Sequence, residues 1–291
     1  MSGYDVLTSA FDPSVNFSKS TADGGLIETR FVQRVKERFI VYISSMSGCN
    51  KACRFCHLTQ TGQTMATNLS REEMLEQAEI VLSTASYPDA KTVHYNFMAR
   101  GEPMANPMVD KTLFHQLKRA AQRRGLLPRV KLSSIIPTDF QGFDPNLLWD
   151  ENSPPIDFYY SLYSVDPEWR KRWIPKALPP SEAFAWLARW QQVTENRVIL
   201  HWALIEGEND SLENARNTAR MANASGLKWD FNLVRYNPAS DKSRESSEER
   251  IKSFLEVLRQ EIGEGNRVKV IPRVGYDVKA SCGMFLMPDA A

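Results

Sequence analysis

Between residues 26 and 271 the sequence alternates short apolar, β-branched runs with helical patterns, and that alternation leaves few folds open. Residues 26–34 and 38–46 read as two strands joined by a short charged turn, a hairpin or an adjacent pair, with the second strand delivering the loop that follows. Ser70-Arg71-Glu72-Glu73 is a capping box that opens a helix to about residue 84. Strands at 92–98, 130–134, 156–162, 198–204, 228–234 and 268–271 then alternate with helices at 108–124, 181–193, 211–224 and 246–262. Parallel neighbours need a crossover of this kind, so about six strand-helix units imply an α/β fold, a partial (β/α)6 barrel with a short N-terminal β extension. Ligands of such barrels gather at the C-terminal ends of the strands. Residues 1–22 lack periodicity and are rich in Ser, Asp and Gly, so they are expected to be a loose arm, and 23–291 one domain. With 291 residues, 42% of them hydrophobic, the chain can bury one large core.

Three of the four cysteines, Cys49, Cys53 and Cys56, fall on one tight loop after the second of these strands. Spaced C-x3-C-x2-C, they can turn three thiolates toward one small iron-sulfur cluster and leave one iron open. The alternatives are buried free thiols or a zinc knuckle, but a closed zinc site wants a fourth ligand, and His57 is adjacent to Cys56 and badly placed. Cys282 has no disulfide partner to expect in a reducing compartment. It is either a small buried hydrophobe or a working thiol, and its flanks Ser281 and Gly283 suit a mobile, exposed turn. With 36 Lys and Arg against 35 Asp and Glu, net +1, bulk charge announces no nucleic acid, so RNA would have to use local patches. Two exist: Lys118, Arg119, Arg123, Arg124, Arg129 and Lys131, and Arg170-Lys171-Arg172 between Trp169 and Trp173. Each is either a solvated helix face or a cation-aromatic RNA contact. No apolar run spans a membrane and no signal peptide follows Met1, so a cytoplasmic address without membrane contact is expected.

The cysteine spacing, with Phe55 just before the third cysteine, resembles the signature of the radical S-adenosylmethionine (SAM) superfamily. Four further stretches agree in order and spacing: 97–103 (Phe-Met-Ala-Arg-Gly-Glu-Pro), 161–163, 232–238 and 275–283. Together they resemble the RlmN/Cfr-like radical SAM methyltransferases that modify an adenosine of large-subunit ribosomal RNA at C2 or C8, over about residues 25–287. The resemblance implies a [4Fe-4S] cluster on Cys49, Cys53 and Cys56, with SAM chelating the open iron. It implies SAM contacts from Gly101 and Glu102 to the methionine amino group, from Ser133, Ser161, Leu162 and Tyr163 around the ribose and carboxylate, and from Asn237. It matches Cys282 to the cysteine that the family methylates and Glu28 to its proposed proton acceptor, and it implies an RNA substrate, a flavodoxin- or ferredoxin-type electron donor and a monomer. Read without the family, Gly101 and Pro103 are turn residues and Glu28 is a solvent-facing strand position.

Three departures accompany the match. The family usually has histidine where this sequence has Tyr163, which is expected to alter a contact without abolishing the pocket. It carries an N-terminal RNA-recognition domain where this sequence has a short arm, so substrate choice is expected to differ. It also carries a resolving cysteine seven residues before the first cluster cysteine, and that position here is Tyr42. Another reading of the same chemistry is a radical SAM enzyme acting on a small molecule, nucleotide or peptide; a reading from another class is a non-catalytic RNA-binding relative that has lost turnover.

Overall fold

The computed structural model describes residues 3–139, 144–263 and 265–288. A ten-stranded sheet runs in sequence order: β1 (Asp5–Thr8), β2 (Val15–Ser20), β3 (Leu26–Val35), β4 (Arg38–Tyr42), β5 (Thr92–Phe97), β6 (Leu127–Ser134), β7 (Ile156–Ser161), β8 (Val198–Trp202), β9 (Trp229–Val234) and β10 (Val268–Ile271). The first four strands pair antiparallel, and every pairing from β4 to β10 is parallel. The parallel strands are crossed by α1 (His57–Gln60), α2 (Arg71–Thr84), α3 (Lys111–Gln122), α4 (Pro167–Trp173), α5 (Pro180–Thr194), α6 (Leu212–Ala224) and α7 (Glu248–Glu261). No pairing joins β1 to β10, so among the described residues the barrel is open. The expected partial barrel and its β extension are both present.

Each parallel strand divides its side chains by the period of two. Val93, Tyr95 and Phe97, Val130 and Leu132, Phe158 and Tyr160, and Trp229, Phe231 and Leu233 are all 2% exposed or less and enter the core beneath the helices. Burying one such side chain stabilises the fold by about 1.5–3 kcal/mol. The alternate residues, among them His94, Asn96, Lys131, Ser133, Tyr159, Ser161, His201 and Asn232, turn inward, which makes the lumen polar.

The loose arm expected over residues 1–22 is corrected: Met1 and Ser2 lie outside the described residues, but β1 and β2 extend the sheet. β2 pairs with β3 over six residues, Val15 against Phe31 through Ser20 against Leu26. The polar composition misleads because the polar side chains are internal and bonded. Asn16 is fully buried and donates to Val278 O (2.9 Å) and Glu28 Oε1 (3.2 Å), while Phe17, 1% exposed, anchors the opposite face. The capping box at Ser70 is formed. The cationic runs divide: Arg123 and Arg124 pair with Glu79 on the helix surface, Lys131 turns into the lumen, and Arg170 is 5% exposed, donating to Leu162 O (2.6 Å) and Leu178 O (2.8 Å). Arg170, Trp169 and Trp173 are therefore internal parts of α4, not an RNA-facing patch.

Candidate active site

β4 ends at Tyr42, and the chain continues through Ser44–Gly48 into the cysteine loop. Gly48 is obligatory there, since a Cβ would stand 2.0 Å from Met65 O. Backbone bonds hold the loop: Cys56 N–H to Cys53 O (3.0 Å), Cys49 N–H to Gln63 O (3.2 Å) and Arg54 N–H to Trp173 O (2.9 Å). Cys49, Cys53 and Cys56 are free thiols and line one cavity at the C-terminal ends of the strands. Burial pushes Cys49 up to about 12 and Cys53 well above the usual thiol range, with the neighbouring cysteines adding repulsion. Among the described residues no three His, Cys, Asp or Glu side chains converge as one metal ion would need. A cluster asks for less convergence, because each thiolate binds its own iron corner.

The same cavity is lined by Gly101, Glu102, Ser133, Ser161, Tyr163, Asn237 and Cys282. Gly101 adopts φ +95°, and a Cβ would stand 2.7 Å from Met46 Cβ and Ser45 Oγ, so glycine is required for the turn that presents Glu102. Glu102 is 5% exposed, accepts from Met104 N–H (3.1 Å) and Ile135 N–H (3.2 Å), and is pushed by burial up to about 7. It is an acid short of a cation. Ser133 Oγ and Ser161 Oγ lie 3.2 Å apart. Tyr163, at φ +57°, stacks on Phe55 with ring centroids 4.1 Å apart. Leu162, in contrast, is fully buried in the core and does not line the cavity; its carbonyl receives Arg170 and so fixes the turn between Ser161 and Tyr163. Asn237 donates to Cys282 O (2.8 Å), and its own Oδ1 is buried without a partner.

Glu28 and Tyr42 stand behind this cavity. Glu28 is fully buried, not solvent-facing: Oε2 accepts from Arg100 Nε (2.7 Å), Oε1 accepts from Leu286 N–H (3.0 Å), and Arg30 lies 3.7 Å away. Arg30 also donates to Met284 O (2.6 Å) and Ser281 O (3.3 Å), and Arg100 to Leu286 O (2.6 Å) and Gln63 Oε1 (2.7 Å). Both guanidinium groups face the Phe285 ring, at 5.1 and 5.7 Å. The segment around Cys282 is thus clamped by an Arg-Glu-Arg group, and Ser281 is 6% exposed, which corrects the expected mobile turn. Tyr42, 3% exposed, lies close enough to Cys282 and Arg34 to interact with both. Burial and the nearby sulfur hold its phenol above the usual range. Burial pushes the Cys282 thiol up, against opposing pulls from Arg34, Arg30 and Tyr42. Arg30, Arg34 and Arg100 escape a sequence reading because arginine ordinarily signals surface; the only hint is that Glu28, Arg30 and Arg34 share one strand face.

No protein-family model matches the chain. A probable dual-specificity RNA methyltransferase RlmN from Synechococcus sp. is 30% identical over 284 residues, which cover 95% of this chain and 76% of that protein. The chain belongs to the RlmN/Cfr family. The ribosomal RNA large subunit methyltransferase Cfr of Staphylococcus warneri is 27% identical over 259 residues, covering 83% of this chain and 67% of its own. The crystal structure of a radical SAM methyltransferase from Sphaerobacter thermophilus shares the fold, with TM-score 0.76 at 23% identity over 98% of this chain and 81% of that one. The cofactors of RlmN/Cfr enzymes are a [4Fe-4S] cluster and SAM. The donor set here fits them: three free thiols lining one cavity for the cluster, and Glu102 and Asn237 Oδ1, without a partner among the described residues, as acceptors for SAM. No helix is long and apolar enough to cross a membrane among the described residues.

Proposed function

We propose that this RlmN/Cfr-family enzyme carries a methyl group on Cys282 and delivers it to an sp2 carbon of adenosine in RNA. The observation that carries the reading is that Cys282, distant in sequence, lines the same cavity as the three cluster cysteines. When bound, the cluster and SAM supply an electrophilic methyl group and the hydrogen-abstracting 5′-deoxyadenosyl radical. Cys282, as thiolate, takes the methyl by displacement; after losing one hydrogen atom, its S-bound carbon bonds to the ring carbon. Adenine C2 is not nucleophilic, so a radical addition succeeds where displacement by the ring would not. The adduct radical must then lose one electron, to the oxidised cluster, and the ring carbon one proton, for which Glu28 is the base, once substrate entry displaces the segment that covers it. Gly101 and Glu102 hold the SAM amino group, with Ser133, Ser161, Tyr163 and Asn237 around the rest, Leu162 acting through the turn it fixes. A flavodoxin- or ferredoxin-type protein supplies the electron to a cytoplasmic monomer.

Two results test this reading. After expression with cluster and SAM supplied, the peptide containing Cys282 is expected to gain the mass of one CH2, and RNA digests to contain methyladenosine where a cellular or added thiol releases the product; an unmodified Cys282 in loaded enzyme would sink the carrier role. Glu102→Gln removes the charge that meets an ammonium group, so SAM dissociation constants measured by calorimetry are expected to rise roughly 10- to 100-fold. An unchanged constant would remove Glu102 from the SAM site.

A further inference from the structure

The lumen has a second chamber, at the N-terminal ends of the strands and opposite the cluster loop. It has a volume of about 480 Å³. Its walls are the residues two positions earlier on the same strands that line the upper cavity: Lys131 below Ser133, Tyr159 below Ser161, Ile199 below His201 and Asn232 below Val234. Tyr159 and His201 meet edge to face, with ring centroids 5.6 Å apart, and form the floor between the chambers.

The charge of the lower chamber is unbalanced. Six cationic side chains line it against three carboxylates, an excess of three in a chain whose net charge is +1. Three of the cations are partnered: Arg129 with Asp157 (2.5 Å), and Arg197 and Arg267 with Asp230 (3.1 and 3.3 Å). Arg38, Lys131 and Lys269 have no carboxylate partner among the described residues. Lys131 Nζ lies 5.3 Å over the Tyr159 ring. Burial, then Arg38, Arg129 and Arg34, push Lys131 down to about 8, against an opposing pull from Asp157. His94, 6% exposed, lines the same wall; burial and the surrounding cations push it down, so it adds no charge, and its Nδ1 has no partner. Cations gathered in a concave, partly desolvated site without counter-charge focus a positive potential, and an anion entering relieves their repulsion.

We propose that this lower chamber binds a phosphate-bearing anion, with Lys131 at its base and Arg38 and Lys269 at its rim. Its volume admits a diphosphate or the phosphates of a nucleotide as well as orthophosphate. The site does not depend on methyl transfer, since it lies on the far side of the Tyr159–His201 floor from the cluster cysteines.

The test is thermal unfolding of the cluster-loaded protein at fixed ionic strength, titrated separately with inorganic phosphate, pyrophosphate and adenosine 5′-monophosphate, with chloride as control. Wild type is expected to show a saturable rise of the unfolding midpoint, about 5 °C at a hundredfold excess over the dissociation constant. The ranking of the three anions identifies the source of the phosphate. Lys131→Met is expected to lose the response, and without added anion to unfold no lower than wild type, because the substitution removes an uncompensated cation. Equilibrium dialysis with labelled phosphate on an Arg38→Ala, Lys269→Ala double variant, altered only at the exposed rim, gives a second reading; affinity is expected to fall at least tenfold. An equal response in wild type, Lys131→Met and the surface control Lys118→Met would overturn the proposal. So would protection by RNA with none from the small phosphates, which would make the chamber an RNA contact.

Discussion

Arg100→Ala is expected to lower the stability of the protein by about 3–5 kcal/mol, because it leaves a fully buried carboxylate without its closest counter-charge. Arg100 is 1% exposed, and Glu28 is fully buried. The remaining cation, Arg30, lies 3.7 Å from Glu28, against 2.7 Å for Arg100. Two further acceptors, Leu286 O and Gln63 Oε1, lose their donor in the same step. Burial holds the Arg100 guanidinium below its usual range and Glu28 opposes this, the pattern of a pair that tolerates its site only together. Adding Glu28→Gln to Arg100→Ala removes the stranded charge, so the double variant is expected to be more stable than Arg100→Ala alone; denaturant melts of the four proteins give the coupling. Strictly additive losses would show that the two side chains do not act as a unit. Arg100→Ala also frees Phe285 and Leu286, so hydrogen exchange over 281–288 is expected to accelerate even where the barrel remains protected.

The parts of this molecule that were legible in the sequence are those whose cause is local. The cysteine loop is read from its spacing, and the barrel from strand-helix alternation, because both signals fall within a few residues of one another. β1 and β2 were hidden because their polar residues satisfy one another inside the fold; Asn16 bonds Val278, 262 positions away. α4 was hidden among charges and tryptophans read as a surface patch. Its signals were nonetheless present in Asp166, which caps the helix by accepting from Glu168 N–H, and in Pro167 in the first turn. Glu28 shows the limit most sharply. An acidic residue in an alternating strand reads as solvent-facing, and only the return of Arg100 from the end of β5 and of Leu286 from the C-terminal segment makes it the centre of a buried clamp. The family resemblance supplied Cys282 and Tyr42 as positions; their proximity is a tertiary fact.

That proximity shapes the second large effect. Wild-type enzyme is expected to stall after one methylene transfer unless an external thiol is added, leaving a covalent protein-RNA species detectable on a denaturing gel. Release of such an adduct needs a thiolate to attack the Cys282 sulfur, forming a disulfide while the sulfur-carbon bond breaks and the released carbon takes a proton to become methyl. By the resemblance Tyr42 falls at the position of the family's resolving cysteine, and a neutral phenol forms no stable bond to sulfur; burial raises its pKa further above the working range. On the proposed reading Tyr42 is a positioning residue, a buried neighbour of Cys282 and Arg34. Tyr42→Cys restores a thiol, and its shorter side chain must meet the geometry of a disulfide with Cys282. The comparison is product formed per enzyme from an adenosine-containing RNA, with and without dithiothreitol. Without thiol, Tyr42→Cys is expected to release one methyladenosine per enzyme and end as a disulfide with Cys282, while wild type releases none and holds the RNA. Repeated thiol-independent turnover by wild type would show that Tyr42 leaves the release step unchanged, whereas an adduct that persists in both proteins would place the obstacle in the Arg30–Glu28–Arg100 clamp and not in the missing thiol.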